Sequence, residues 1–303
     1  MTQRAVLIFV DGLGTGVPDP ERNPCTSPGL CLFDNFAGQP RRQPLPHGGC
    51  FKALDARLGV PGLPQSATGQ TAIFSGVNAA EVLGGHLFGF PNACLREILM
   101  DHSLLKVVRE RGYTATFANA YRPEFFVATE EQLAGRLSVT TVSCRAAAIP
   151  FRTFEDLAGG RAVYHDITRD HARELGHDVP PVAPEEAGRT LAQLVANHDL
   201  TVFEYFLTDK AGHSRDRAAC DSVLARLESF LLAFLSEARL SETTVLLTSD
   251  HGNIEDLSTR GHTYNPVQTL LWGARAEEIA ARLRTLLDVY PALLSLFPEG
   301  GAA

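Results

Sequence analysis

The sequence has no CxxC pair, no long apolar run, no basic tract, no low-complexity segment and no internal repeat. Each absence narrows the field. Cys25, Cys31, Cys50, Cys94, Cys144 and Cys220 are scattered over 303 residues without a compact framework. In a chain of this length they read as reduced thiols in a reducing compartment. The first apolar run, Ala5 to Val10, is six residues long, too short for a signal h-region or a membrane span. The expectation is a cytoplasmic protein with no membrane partner. Net charge is −8, so nucleic acid is a poor default partner. With 45% hydrophobic residues the chain can bury a large core,.

What is present is a repeating order: apolar run, polar site residue, helix-like stretch. Residues 5–10 fit a strand buried on both faces of a parallel sheet, and Asp11 follows directly. Residues 15–50, rich in Pro, Gly, Asn and Cys, read as a long loop. Pro61-Gly62-Leu63-Pro64 leads into a helix over 68–74. Residues 103–112 read as a helix with a serine cap, and 113–118 as the next strand. Short strand-like pieces stand at 139–142 and 162–164, inside a segment (121–183) that reads as a small lid or insertion. The pattern then predicts a helix over 184–198, a strand over 200–207 delivering Asp209, an amphipathic helix over 216–238 and a strand over 243–248 delivering Asp250 and His251. A strand over 267–272 and a helix over 275–288 close the chain. Residues 1–303 read as one α/β domain, with candidate site residues at the C-terminal edge of its strands.

The candidate site residues cluster in short motifs. Gln65-Ser66-Ala67-Thr68-Gly69-Gln70 offers hydroxyls at a helix start. Asp209 and His213 stand four apart in Thr208-Asp209-Lys210-Ala211-Gly212-His213, one helical turn, so both side chains can aim at one ion,. Asp250-His251-Gly252-Asn253 and His262-Thr263-Tyr264-Asn265-Pro266 follow. Three carboxylates, three imidazoles and one hydroxyl suit two divalent cations and an oxygen nucleophile, the equipment of phosphoryl transfer,. Each group has a plain alternative: a lone histidine on a surface, Asp209 as a helix cap, Ser66 or Thr68 as a cap for its own helix. Mixed carboxylate and imidazole sites do not select strongly among first-row metals. Gly12-Leu13-Gly14-Thr15-Gly16 after the first strand is not a dinucleotide turn. Val17 stands where the third glycine belongs, and Pro18 and Pro20 block a clean helix start.

These motifs resemble the alkaline phosphatase superfamily, and most closely its branch of cofactor-independent phosphoglycerate mutase and phosphopentomutase. Asp11-Gly12-Leu13-Gly14 resembles that branch's first metal motif. Asp209-Lys210-Ala211-Gly212-His213 resembles its DxxGH element, Asp250-His251-Gly252-Asn253 its DHGN element, and His262-Thr263-Tyr264-Asn265-Pro266-Val267 its HTxNPV element. The resemblance implies an alkaline-phosphatase-like three-layer sandwich: a mostly parallel central sheet with helices on both faces. It implies two divalent ions, Mn or Zn with Mg as a further candidate. One would be held by Asp209, His213 and His262, the other by Asp11, Asp250, His251 and the Ser66 hydroxyl. It also implies Ser66 as nucleophile, with Thr68 as the rival. Two features depart from the mutase pattern. Gln70 replaces the histidine after the glycine, and the chain is too short for the full mutase cap. Cys25-Thr26-Ser27-Pro28 does not fit the sulfatase CxPxR element.

The expected activity is a phosphomonoester hydrolase using a phosphoserine. Phosphomutase, or phosphodiester or phosphonate hydrolase, is the alternative, and the expected partner is a small phosphorylated substrate. Arg122, Lys210, Arg215 and Arg260 are candidates to grip a second anionic group; a solvated surface cation is the plain reading of each. His86 is a further loop candidate.

Overall fold

Alternation along the first apolar run sets the architecture. In the computed structural model, which describes residues 3–41 and 43–300, strand β1 spans Arg4–Val10. Ala5, Leu7 and Phe9 enter one hydrophobic cluster, while Val6, Ile8 and Val10 enter another on the opposite face. Successive strand residues point to opposite faces. A strand apolar at every position must therefore be covered on both sides, and all six of these residues are fully buried.

β1 lies inside a six-stranded sheet of order β2-β6-β5-β1-β4-β3. The others are β2 (Cys50–Leu54), β3 (Ala115–Phe117), β4 (Leu200–Tyr205), β5 (Thr243–Thr248) and β6 (Val267–Trp272). β3, β4, β1 and β5 run parallel; β6 joins β5 antiparallel, and β2 pairs antiparallel with β6 at that edge, so that β6 alone is reversed among the described strands. Helices Ser66–Ser75, Leu104–Glu110, Val139–Ala146 and Ala276–Arg282 cover one face. Helices Pro184–Ala196 and Arg217–Glu237 cover the other. The first of that pair opens on Pro184, Glu185 and Glu186, residues suited to a helix N-terminus,. The second is capped by Asp216, whose carboxylate accepts from the Ala218 and Ala219 amides,. The result is a three-layer α/β sandwich with a mostly parallel sheet, as expected.

Local expectations fail in five places. Residues 139–142 are not a strand but the start of helix Val139–Ala146. Ser138 accepts from the Thr141 amide at 3.2 Å, and the buried side chains pack into the main core. Tertiary burial overrides the β-branched composition. Residues 162–164 form only an isolated bridge, Asn119 to Val163. β2 emerges from the end of the expected loop because its half-buried residues pair with the edge of β6. The last expected helix breaks into Ala276–Arg282 and a short turn at Leu286–Asp288. Ser103 precedes its helix without a side-chain capping bond. Residues 121–183 hold short helices, and Leu157, Ala162, Tyr164 and Ala172 form a small cluster of their own with Ala120.

Candidate metal centre

Three strand ends deliver the polar groups. Asp11 follows β1, Asp250 and His251 follow β5, and Asp209 lies in helix Leu207–Ser214 directly after β4. His262 precedes β6. Ser66 is the first residue of helix Ser66–Ser75, in which all ten residues are buried. Two glycines permit the convergence. Gly12 has φ +72, and a Cβ there would lie 2.9 Å from the Asp209 Cα. A Cβ on Gly69 would lie 2.8 Å from the Asp250 carbonyl oxygen, so the Ser66 helix can sit on the Asp250 turn only as glycine at that position,.

The ligand-type atoms of Asp11, Asp250 and His251 lie within 4.8 Å of one another, and so do those of Asp209, His251 and His262. His251 Nε2 is 3.2 Å from Asp11 Oδ1, 3.6 Å from Asp250 Oδ2 and 3.0 Å from Ser66 Oγ. His213 Nε2 is 3.4 Å from Asp209 Oδ2, and His262 Nε2 is 3.6 Å from Asp209 Oδ1. The expected partition thus differs in two respects. His251, stacked on His262 at 3.6 Å between ring centroids, is shared between the two groups. His213, half-exposed, stands at the margin of the second.

The donor set fits divalent cations. His262 Nδ1 lies 2.9 Å from the Pro64 carbonyl, and His213 Nδ1 lies 3.0 Å from the Arg260 carbonyl. A carbonyl only accepts, so Nδ1 carries a proton in both rings, and Nε2 is the nitrogen that faces Asp209,. His262 Nε2 is buried without a hydrogen-bond partner, which is costly unless something else satisfies it.

Electrostatics tell the same story. Burial, with the Asp250 charge, raises Asp11 well above the carboxylate range, and burial also raises Asp250. Burial alone would push the His251 imidazole down, but Asp250 and Asp11 lift it to about 10. Burial and the neighbouring His251 push His262 down to about 4. Here a proton on His251 serves the carboxylates as a cation would.

Three residues without an expected role hold this cluster. Gln70 Nε2 donates to Asp250 Oδ2 at 2.9 Å and to Asp11 Oδ2 at 3.3 Å, bridging both carboxylates. Asn253 Nδ2 donates to Asp209 Oδ1 at 2.6 Å. Glu255, fully buried, accepts from the Gly14 and Asn253 amides, the Thr263 hydroxyl and the Asn265 side chain. None shows itself by spacing. Only the position of Glu255 two residues beyond Asn253 was there to be noticed.

A cavity of about 520 Å³ opens on Asp11, Ser66 and Asp209. Arg122, Arg136 and Lys210 line it, and their side chains form no ion pair or hydrogen bond with other described residues. Arg136 had no sequence signal. Glu204 also faces the cavity, with Thr140 donating to one carboxylate oxygen at 2.8 Å. Arg215, Arg260 and His86 do not line it. Arg215 Nε donates to the Leu257 carbonyl, and His86 Nε2 lies 3.3 Å from the Val60 carbonyl. Thr68 is fully buried, donates to the Gln65 carbonyl and does not reach the cavity.

The family model of the Metalloenzyme superfamily matches residues 178–298. A 2,3-bisphosphoglycerate-independent phosphoglycerate mutase from Dinoroseobacter shibae is 31% identical over 136 residues, 42% of this chain and 27% of that protein. The chain therefore matches only about a quarter of that mutase's length. The PH0037 protein of Pyrococcus horikoshii superposes with a TM-score of 0.59 at 16% identity, covering 100% of this chain and 99% of that one. A cold-active alkaline phosphatase from a psychrophilic Shewanella superposes at 0.58 and 12% identity, covering 97% and 100%. The fold is that of the alkaline phosphatases, and the likeness to that superfamily and to phosphoglycerate mutase, expected from the motifs, is present.

Proposed function

We propose that this chain is a metal-dependent phosphomonoester hydrolase that works through a phosphoserine on Ser66. The observation that carries the reading is the place of the Ser66 hydroxyl: on the cavity wall, at the positive end of a buried helix, and 3.0 Å from His251 Nε2 among the carboxylates. Asp209, His213 and His262 would hold one divalent ion, and Asp11, Asp250, His251 and Ser66 a second; Mn and Zn suit this set. Bound ions of this kind supply Lewis acidity, lowering the hydroxyl's pKa and offsetting phosphate charge.

The protein's own groups do the rest. The Ser66 oxygen, having given up its proton to solvent, forms a bond to phosphorus as the bond from phosphorus to the leaving oxygen breaks in line, and the leaving oxygen takes a proton from water. The helix N-terminus favours the anion. Arg122, Arg136 and Lys210 hold further negative charge on a small phosphorylated substrate,. Gln70 keeps Asp11 and Asp250 in register. Water then attacks the phosphoserine and releases phosphate.

A phosphomutase is the second reading. The mutase likeness favours it, and three unpaired cations on the cavity wall suit retention of the dephosphorylated product for transfer to its second hydroxyl. Among the described residues no helix is long and apolar enough to cross a membrane. The six cysteines are unpaired, which supports a cytoplasmic location.

The test is metal content of the purified protein together with phosphate release from an aryl phosphate, with and without added Mn or Zn. Ser66→Ala should abolish release, by at least about a thousandfold, while Asp11, Asp250 and His251 retain the second ion. Full release in that variant would exclude the covalent route.

A further inference from the structure

The cavity has an aromatic rim that phosphate chemistry leaves without a purpose. Phe88 and Phe90 line the cavity yet are 65% and 52% exposed. Single exposed apolar side chains are ordinary; two large ones beside a candidate centre are informative. The backbone leading into them is held at Leu87. The Leu87 carbonyl accepts from the Ala67 amide at 3.1 Å, and the Leu87 amide donates to Thr68 Oγ1 at 3.4 Å. The rim is thereby pinned to the first turn of the Ser66 helix. The Phe88 ring lies 6.0 Å from that of His262. Elsewhere on the cavity wall Phe206 stacks on His165 at 4.8 Å and 21°. Burial, helped by neighbouring cations, pushes His165 down to about 3, so that ring is neutral. About 520 Å³ also lies in the range of sites that enclose drug-sized ligands,. A two- or three-carbon phosphate would leave the aromatic surface bare.

We propose that the substrate's leaving group carries an aromatic ring, received by Phe88 and Phe90 beside the Ser66 hydroxyl. The inference deepens the phosphoryl-transfer reading and rests on it. Aromatic rings gain from offset or edge contact with one another as well as from area removed from water.

Binding is tested apart from turnover. Calorimetry on the metal-loaded protein compares benzylphosphonate with ethylphosphonate, which carry the same charge. The benzyl ligand should bind about tenfold or more tightly, the effect expected from burying one ring. In the Phe88→Ala/Phe90→Ala variant the two affinities should converge. Both positions are exposed, so an unchanged thermal midpoint will verify folding. Equal affinities in the wild-type protein, binding of neither ligand, or a preference that survives the double substitution would each overturn the proposal. Turnover of benzyl and ethyl phosphate, whose leaving alcohols have similar acidity, forms the second arm. Absence of release from both, with ring-dependent binding intact, would sink the hydrolase reading and leave the aromatic site standing.

Discussion

Glu255 brings no ligand atom to the centre, yet donors from two loops, the one after β1 and the long β5–β6 connection, converge on its carboxylate. Those loops carry Asp11, the Asp250-His251 pair and His262. Glu255→Gln would set an amide N–H against a backbone donor. The expected result is a loss of about 10- to 100-fold in metal affinity, measured by competition with a chromophoric chelator. Metal binding should also release protons, because His251, lifted to about 10, must give up its proton to become a ligand,. Affinity should therefore rise with pH through the neutral range, with proton release visible by calorimetry in buffers of different ionisation enthalpy. Glu204 gives a separate pH signature. Burial, with some help from Asp250, raises it from 4.5 to about 7 against the Thr140 hydrogen bond. Between those values the folded state holds a proton that the unfolded state has lost, so stability falls as pH rises across that window and levels off above it. In metal-free protein, Glu204→Gln should flatten that slope in urea titrations; an unchanged slope would remove Glu204 as its source. Asp11, Asp209, Asp250 and His251 were legible in the sequence because ligand types recur after apolar runs, and His262 through the motif that contains it. Gln70, Asn253 and Glu255 were not, since a residue that orients a ligand carries no spacing rule of its own.

At the scale of elements, the Ser66 helix tests how the centre is assembled. Helix propensity alone says that Gly69→Ala should stabilise by about 1 kcal/mol. The structure says otherwise, since the added Cβ would meet the Asp250 carbonyl oxygen at 2.8 Å. Overpacking of this kind costs roughly 1–3 kcal/mol. The variant should therefore have a lower urea midpoint and weaker metal binding, and a raised midpoint would show that the helix can shift without loss. Strands β1, β4, β5 and β6 were readable as apolar runs because burial on both faces leaves no polar alternation. β2 was not, because a half-buried edge strand lacks that continuity. Helix Val139–Ala146 was misread because its β-branched residues are held by tertiary packing and by the Ser138 cap, neither of which is a local propensity.

The whole molecule has its candidate ligands spread from Asp11 to His262, so any ion held there ties distant parts of the chain together. Ions bound only by the folded state should add about 2.7 kcal/mol at a free concentration a hundred times the dissociation constant. Chelation should accordingly lower the thermal midpoint, and an unchanged midpoint would mean that the cluster holds no ion. The sheet order has one more consequence, for the chain as it is made. β1 leaves the ribosome well before its two neighbours, β4 and β5, which begin at Leu200 and Thr243. Until they arrive, a fully apolar strand has both hydrogen-bonding edges open, the condition under which nascent chains aggregate. A fragment ending before residue 200 should be insoluble or chaperone-bound, and synthesis of this protein should depend on holdase capacity more than its finished stability suggests.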